Sequence, residues 1–346
     1  MSKYNVYFGT YSNSIFYGEF DSVSGELKIT GNTEVENPSY LCLSHDEKVL
    51  YAVSEKKDGE VVSVDLGTKK ITGRQKTNGA SPCHLTVQDK FLFAANYSEG
   101  TLSVFDLGNG GEILKSFKSI AHYGKGANPD RQEKSHVHSV KRYDNYLAVC
   151  DLGLDRVFFY PYNGKTGISL SGGFDIICPD GSGPRHLDFT GKHIYVLTEM
   201  GNKILVYDKK HVLIQSVSTI PDDFSGESTA SAIRVSPDEK YIAASNRGDD
   251  SIVFYKINPD NGLTASATHI KTGGCPRDFA FSPDGKWLLC GSQTDNTVNI
   301  YKISDDGGLN ITDSGIKAEV PAPVCVLFEG KDFSLSGLFA NATKSR

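Results

Sequence analysis

The sequence predicts an all-β fold, a seven-bladed β-propeller with four antiparallel strands in each blade. Three observations predict it: a repeat of about 46 residues runs through the chain, each copy consists of strand-like segments joined by turn residues, and the two ends of the chain supply complementary parts of one copy. Four antiparallel strands in ~45 residues are typical of one propeller blade.

Two copies show the repeat most clearly. The segment AIRVSPDEKYIAASNRGDDSIVFYKI from Ala232 aligns without a gap with DFAFSPDGKWLLCGSQTDNTVNIYKI from Asp278. Within the second copy, FAFS and WLLCGS flank a Pro-Asp-Gly turn, and a polar corner leads to the alternating strand TVNIYKI and a polar fourth strand. Successive copies begin 44 to 54 residues apart, the other five at Tyr40, His84, His138, His186 and Cys325.

The ends of the chain predict how the ring closes. The last copy stops after one strand, CVLF, whereas the chain opens with NVYFGTYS, IFYGEFD and ELKITGNTEVE, which match the second, third and fourth strands of a blade. We therefore expect the two ends to complete one blade together, which leaves no unpaired innermost edge. One propeller domain is predicted over residues 1–346.

Charge and composition exclude several classes of partner. Lys and Arg number 36 against 42 Asp and Glu, a net charge of −6, and the chain has no long basic run to meet a phosphate backbone, so we expect no nucleic-acid partner. The opening MSKYNVYFGTYS is strand-like and no apolar run approaches ~18 residues, which predicts a cytoplasmic protein with no membrane contact. Seven cysteines without a Cys-Xaa-Xaa-Cys pair indicate neither disulfides nor structural zinc. We expect a monomer or a weak homo-oligomer.

Polar residues collect at one mouth of the predicted channel. In a meander blade the start of the innermost strand lies beside the end of the second strand, because the two are antiparallel neighbours. One ring of equivalent positions comprises Tyr40, His84, His138, His186, Ala232, Asp278 and Cys325; the other comprises Tyr11, Glu55, Tyr97, Leu152, Glu199, Arg247 and Gln293. Convergent polar groups of this kind predict a functional site.

Four of these side chains, or their direct neighbours, have types that suit the opening of an ester or lactone: His138, Glu199, Arg185 and Arg247. A His or Glu can remove a proton from water, an effect worth ~10² to 10⁴ in rate. An arginine can stabilise a developing oxyanion and can also bind carboxylate or phosphate with two hydrogen bonds. We predict these four as catalytic. The residues predicted to bind substrate are His84, Asn96, His186, Arg277, Asp278 and Gln293.

Other interpretations of the same residues stay open. Propeller channels tolerate polar residues without a function, His84 and His186 could only hydrogen-bond between blades, and Glu199 could only pair with an arginine. His136 and His138 lie two apart on a strand, as metal ligands can, but the sequence offers no third ligand. Because the known phosphate-loop, dinucleotide and nucleophile-elbow motifs are also missing from the sequence, we predict a site without metal or cofactor.

Four stretches resemble the lactonase family of seven-bladed propellers: VYFGTYS, GPRHLDF, SPDEKYIAASNRGDDSI and PRDFAFSPDGKWLLCGSQ. The resemblance covers essentially the whole chain. The family includes the propeller type of 6-phosphogluconolactonase and a fungal carboxymuconate lactonizing enzyme. It implies a metal-free site on one face and, for the lactonizing member, a proposed group of His, Arg, Glu and Arg. These fall on His138, Arg185, Glu199 and Arg247. Many members carry an acid where this chain has Ala232, which leaves any role of that acid in doubt.

The resemblance and the polar ring together suggest a metal-independent lactonase of carbohydrate metabolism. Its substrate would be the small anionic lactone of a sugar acid, 6-phosphoglucono-1,5-lactone, hydrolysed to 6-phosphogluconate in the pentose phosphate pathway. Two alternatives remain: a carboxymuconate-type cycloisomerase, which uses the same cations on an anionic diacid, and a propeller that binds a ligand or a protein without catalysis. One scaffold hosts many chemistries, so the fold does not choose among them.

Overall fold

The computed structural model describes residues 3–304 and 308–330 and confirms the seven-bladed propeller. Each blade is an antiparallel sheet whose strands run from the channel outward. The innermost strands contact one another in sequence, and the seventh returns to the first, so the ring is closed. Residues 331–346 of the predicted domain lie outside the described residues.

The first three blades follow the predicted four-strand pattern, with one addition. Blade 1 comprises β4 (Leu41–Leu43), β5 (Val49–Ser54), β6 (Glu60–Asp65) and β7 (Lys70–Lys76). Blade 2 comprises β8 (Pro82–Gln88), β9 (Phe91–Asn96), β10 (Thr101–Leu107) and β11 (Ile113–Ala121). Blade 3 comprises β12 (Val137–Tyr143), β13 (Tyr146–Asp151), β14 (Arg156–Asn163), β15 (Gly167–Ile168) and β16 (Phe174–Ile177), with a 3₁₀ turn at Leu152–Leu154. The additional strand β15 is a two-residue pairing with the far end of β14, while β16 takes the place of the fourth strand.

The remaining blades each have four strands. Blade 4 comprises β17 (Pro184–Phe189), β18 (Ile194–Thr198), β19 (Lys203–Tyr207) and β20 (Leu213–Ser218). Blade 5 comprises β21 (Thr229–Val235), β22 (Tyr241–Arg247), β23 (Ser251–Asn258) and β24 (Gly262–Lys271). Blade 6 comprises β25 (Pro276–Phe281), β26 (Trp287–Ser292), β27 (Thr297–Ser304) and β28 (Asn310–Glu319). Blade 7 joins β29 (Pro323–Phe328) to β1 (Lys3–Thr10), β2 (Ser14–Asp21) and β3 (Leu27–Glu34).

Blade 7 confirms the predicted closure. The innermost strand β29 pairs antiparallel with β1, and Tyr7 lies opposite Leu327. Trp287 of blade 6 covers the joint, because its ring lies 5.8 Å from the Phe20 ring and its Nε1 donates a 2.9 Å hydrogen bond to the Ser22 carbonyl. Gly25 has φ +79°, and a Cβ there would lie 2.4 Å from the Trp287 ring, so only glycine allows this approach.

The core of the molecule lies between the blades. Seven apolar clusters are found among the described residues, and each fills the gap between two adjacent blades. Strands of the inner part of a blade are buried on both faces, which explains runs such as VLYAVS in β5 that show no alternation. No helix in the described ranges is long and apolar enough to cross a membrane.

Candidate functional site

A β-bulge recurs near the start of the innermost strand. In six blades the pairing between the innermost and second strands shifts at the same place, leaving an extra residue on the innermost strand. Such a bulge redirects a side chain, and bulges are common beside active sites. The unpaired residues at these six places include Cys83, His138, Arg185, Ser231, Arg277 and Val324.

The bulged residues contact one another around the channel mouth. Cys83 Sγ lies 3.3 Å from the His138 carbonyl, Arg185 Nη1 donates to the Ser231 carbonyl at 2.5 Å, and Ser231 Oγ donates to the Arg277 carbonyl at 2.6 Å. The repeated backbone irregularity therefore places a histidine and two arginines on one ring.

This ring corrects one detail of the sequence alignment. The alignment placed His138 with His84 and His186, but the bulges place it with Cys83 and Arg185, and Ser139 occupies the position of the other two histidines. The alignment was therefore out of register by one residue at His138. The connection before this strand is longer than the others, and β12 has no Pro-Xaa-His step to fix the register.

Glu199 lies at the centre of a group of arginines. It follows β18, and its backbone N–H donates to the Gly183 carbonyl at 2.7 Å. Glu199 Oε2 lies 2.9 Å from Arg185 Nε and 2.9 Å from Arg247 Nη2, and Oε1 accepts a 2.6 Å hydrogen bond from Arg131 Nη2. The Arg185 contact is an ion pair by distance only, because no hydrogen-bond acceptor is aligned with its Nε–H. Three guanidinium groups thus share one carboxylate.

The arginines determine the charge state of this carboxylate. Burial disfavours the charged form of Glu199, yet the neighbouring Arg247 and Arg185 outweigh it and hold the pKa of Glu199 well below its usual range. Burial, together with the like charges of Arg247 and Arg277, lowers the pKa of Arg185 to about 10. At neutral pH, Glu199 is an anion that fixes arginines and is poorly suited to accept a proton.

His138 is uncharged, in contrast to Glu199. Its residue is 5% exposed, and burial, followed by the charge of Arg185, lowers its pKa well below the usual value of 6.5. The imidazole is therefore neutral at pH 7 and has an unprotonated ring nitrogen, and the same shift makes it a weaker base than a free histidine. Its Nδ1 lies 3.9 Å from Cys83 Sγ, and burial raises the pKa of that thiol, so the sulfur is protonated and is no nucleophile.

A second carboxylate lies on the other side of the mouth. Glu55 accepts hydrogen bonds from the Tyr11 hydroxyl at 3.1 Å and from Ser39 Oγ. The Arg277 guanidinium lies 5.0 Å from the centre of the Tyr11 ring. Between Glu55 and Arg185 the enclosed space is only about 10 Å³, enough for a single water, so a substrate would bind above these residues rather than between them.

Three of the six predicted substrate-binding residues, His84, His186 and Asp278, line the channel wall below the bulged residues. The ring centres of His138 and His186 are 5.3 Å apart, those of His186 and His84 are 5.4 Å apart, and His84 stacks on Tyr40 at 4.1 Å. Asp278 accepts a 2.8 Å hydrogen bond from Arg234 and a 3.0 Å bond from the Val326 N–H, which joins blade 6 to blade 7. Below them the opposite mouth widens into a cavity of about 570 Å³.

The other three differ in their placement. Arg277 is one of the bulged residues around the channel mouth. Gln293 lies at the rim of the mouth, where its Oε1 is 3.5 Å from Cys275 Sγ. Asn96 is fully buried inside blade 2 and donates to Thr101 and Ser103 at 3.0 and 2.8 Å. Asn246, at the same position of blade 5, makes the same kind of bond to Ser251, so this asparagine holds a corner of the blade and the structure does not bring it to the site.

His136 is held by polar partners and by the Tyr97 ring. Its Nδ1 lies 3.0 Å from the Tyr97 carbonyl, its Nε2 lies 3.1 Å from Glu133, and its ring stacks on Tyr97 at 4.5 Å. Within residues 3–304 and 308–330, no group of three His, Cys, Asp or Glu side chains could hold a metal ion. His136 instead fixes Tyr97 beside the arginine cluster.

Arg131 contacts the candidate site and was not predicted from the sequence. It belongs to the connection 122–136 between β11 and β12, which has no repeat and therefore no equivalent position to compare. A signal existed in the spacing, because the copies at His84 and His138 are 54 residues apart, the largest separation in the chain. The extra residues form the segment that reaches over the mouth.

Comparison with known proteins assigns the scaffold. The sequence profile described as lactonase, 7-bladed β-propeller matches residues 5–328. The chain belongs to this family. A 6-phosphogluconolactonase of Bacillus subtilis is 35% identical over 81% of the chain and 86% of that protein, and one of Formosa agariphila is 31% identical over 76% and 80%.

Solved structures in the lactonase family agree with this assignment. The periplasmic gluconolactonase of Pseudomonas aeruginosa superposes with a TM-score of 0.88 at 27% identity, covering 94% of the chain and 99% of that structure. A Bacteroides fragilis protein, described as a candidate 6-phosphogluconolactonase, gives 0.88 at 32% identity over 95% and 98%. The relatives support a lactonase-type hydrolase, and they include proteins named for phosphorylated and for unphosphorylated sugar lactones.

Proposed function

We propose that this chain hydrolyses 6-phosphoglucono-1,5-lactone to 6-phosphogluconate, with His138 as the general base. The observation that carries the proposal is the pairing of a neutral, buried imidazole with a cluster of arginines at one channel mouth. The names of the Bacillus and Formosa relatives support the choice of substrate.

The chemistry follows from the charge states. His138 takes a proton from a water molecule, whose oxygen attacks the lactone carbonyl carbon. The carbonyl oxygen becomes an oxyanion next to Arg185 and Arg247, and one aligned donor at such a position is worth ~2.7 to 4 kcal/mol. The bond from this carbon to the ring oxygen then breaks, and the ring oxygen receives the proton from the His138 imidazolium. The open-chain acid leaves and releases one proton to solvent.

Glu199 has a positioning role in this scheme. Arg247 and Arg185 outweigh burial and hold the pKa of Glu199 well below its usual range, so this side chain stays an anion. Its Oε2 lies 2.9 Å from both Arg185 Nε and Arg247 Nη2. Fixed donors stabilise a developing charge without having to reorganise.

The local charge suits an anionic substrate. Arg131, Arg185, Arg247 and Arg277 face two carboxylates, Glu199 and Glu55, and the histidine is neutral, so the mouth has a surplus of two positive charges. The net charge of −6 is spread over the whole chain and is largely screened beyond ~8 to 10 Å.

The arginines supply the electrostatic stabilisation that a metal would otherwise provide, so the proposal includes metal-independent turnover. It also keeps the sequence-based expectations of a cytoplasmic protein without a nucleic-acid partner that acts as a monomer or a weak oligomer.

The test is hydrolysis of freshly prepared 6-phosphoglucono-1,5-lactone, followed as acid release in the presence of EDTA. We expect wild type to exceed the uncatalysed rate, Arg247→Ala to lose most of this activity, and Arg74→Ala to keep it, since Arg74 lies on an outer strand. Turnover at the background rate for wild type, or unchanged turnover in Arg247→Ala, would contradict the proposal. Mass spectrometry of the product separates hydrolysis, which adds water, from cycloisomerisation, which does not.

A further inference from the structure

The connection 122–136 is a built element of the site rather than an open loop. Gln132 is fully buried, its Nε2 donates to the Leu152 carbonyl at 2.8 Å, and its Oε1 accepts from the Asn128 N–H at 2.9 Å. Asn128 Oδ1 in turn accepts from the Arg131 N–H at 3.1 Å. The backbone that carries Arg131 is therefore fixed on both sides of that residue.

The side chain of Arg131 points from this fixed backbone into the mouth. Its Nη2 contacts Glu199 at 2.6 Å and the Tyr97 hydroxyl at 3.2 Å. Within the described part of the chain, this guanidinium makes both of its contacts through Nη2, which leaves Nη1 and Nε as donors for a ligand. The Arg131 side chain is 40% exposed, against 15% for Arg247 and 3% for Arg185.

The three arginines that lie on strands make contacts that differ from those of Arg131. Arg185 is buried, and its Nη1 is bound to the Ser231 carbonyl. Arg247 Nη2 contacts both Glu199 and the Ala230 carbonyl. Arg277 lies over the Tyr11 ring. Arg131 thus combines solvent access, a fixed backbone and unused hydrogens on Nη1 and Nε, which suit a charge-assisted hydrogen bond to a phosphate oxygen.

We propose that Arg131 binds the phosphate of the substrate and makes the enzyme prefer a phosphorylated sugar lactone over the unphosphorylated one. The assignment rests on the proposed function and adds a division of labour to it: the strand-borne arginines act at the reacting carbonyl, and the arginine of the 122–136 connection recognises the group at the far end of the substrate.

The experiment compares two substrates and two products. Turnover of 6-phosphoglucono-1,5-lactone and of glucono-1,5-lactone is measured for wild type, Arg131→Gln and Arg131→Lys. Calorimetric binding of 6-phosphogluconate and of gluconate is measured in parallel. Arg74→Gln is the matched control, because its side chain is 39% exposed and pairs with Glu60 on an outer strand.

We expect Arg131→Gln to lower kcat/KM for the phosphorylated lactone by about 10- to 100-fold, through KM, and to change that for glucono-1,5-lactone by less than about threefold, because one charge-assisted pair is lost. Arg131→Lys should recover part of the preference, since lysine keeps the charge but not the fixed positions of the guanidinium donors. Arg74→Gln should match wild type. The affinity for 6-phosphogluconate should fall in Arg131→Gln while that for gluconate stays constant.

Equal losses on both lactones would overturn the assignment and show that Arg131 only holds Glu199. A wild-type enzyme that favours the unphosphorylated lactone would also overturn it. If wild type hydrolyses neither lactone, the proposed function fails, and the binding data then decide the role of Arg131 separately: a preference for 6-phosphogluconate that disappears in Arg131→Gln supports it, and no preference refutes it.

Discussion

His138 and Arg185 occupy the same position in neighbouring blades, each as the extra residue of the bulge in its innermost strand. The shared backbone geometry brings the proposed base and a buried cation to one ring, and the charge of Arg185 is, after burial, the second cause that lowers the pKa of His138. A backbone irregularity repeated by the fold thus places the imidazole beside one of the charges that, after burial, keep it neutral.

Replacing His138 with Gln should lower kcat on the lactone by ~10² to 10⁴, because the glutamine fills a similar volume but cannot accept the proton of water. The measurement is initial-rate kinetics with the spontaneous rate subtracted, with thermal unfolding to show that the fold is kept. His45→Gln is the control, since His45 is exposed on the opposite face. Full activity in His138→Gln would assign the base to another group.

Glu199→Gln should destabilise the protein by about 3 to 5 kcal/mol, because three arginines lose the carboxylate that they share and Arg185 is left buried without a counter-charge. The free energy of unfolding in urea gives the value. Glu19→Gln is the matched control: the Glu19 to Lys3 pair is 2.6 Å long but exposed, so its loss should cost far less than the loss of the Glu199 carboxylate. Equal costs for the two variants would mean that the Glu199 cluster stabilises the protein no more than an exposed ion pair does.

Gly153→Ala should displace the 122–136 connection, which packs directly against Gly153. A Cβ on Gly153 would lie 1.9 Å from the Lys134 carbonyl and 2.7 Å from the His136 N–H, so the backbone before β12 must move. Displacement of a positioned group can cost ~100-fold in rate, and we expect a loss of about 10- to 100-fold together with a lower melting temperature. Gly191→Ala, where a Cβ meets no atom within 4 Å, should behave as wild type. Wild-type kinetics in Gly153→Ala would show that the connection does not position the site.

Stability should fall as the pH drops below 6.5. Burial lowers the pKa of His84, His138 and His186 well below that value, so in this window the unfolded chain binds protons that the folded chain does not, and the free energy of unfolding decreases with falling pH. Each group contributes a slope of up to about 1.4 kcal/mol per pH unit. Urea unfolding at a series of pH values measures the slope, which His186→Gln should make shallower. An unchanged slope in that variant would mean that His186 takes up its proton in the folded state.

The architecture could be predicted from the sequence because every blade repeats the same pattern of strand and turn residues, and the two chain ends supply complementary parts of one copy. Positions just after the second strand, such as Glu199 and Arg247, could be predicted for the same reason. Arg131 could not, since a connection without a repeat has no equivalent position. Asn96 was predicted to bind substrate, but its side chain lies inside blade 2. From the sequence alone, a short amide that closes a blade corner has the same position as one that faces a ligand.

Blade 7 combines β29 with β1, β2 and β3, so it can be completed only after the other six blades have been synthesised. Strands β1, β2 and β3 leave the ribosome first, whereas their partner β29 begins at Pro323. At a synthesis rate of ~5 to 20 residues per second, the edge of β1 waits roughly 15 to 65 s for its partner. During that interval the open edge is a place where a chaperone, or a second nascent chain, can pair with it.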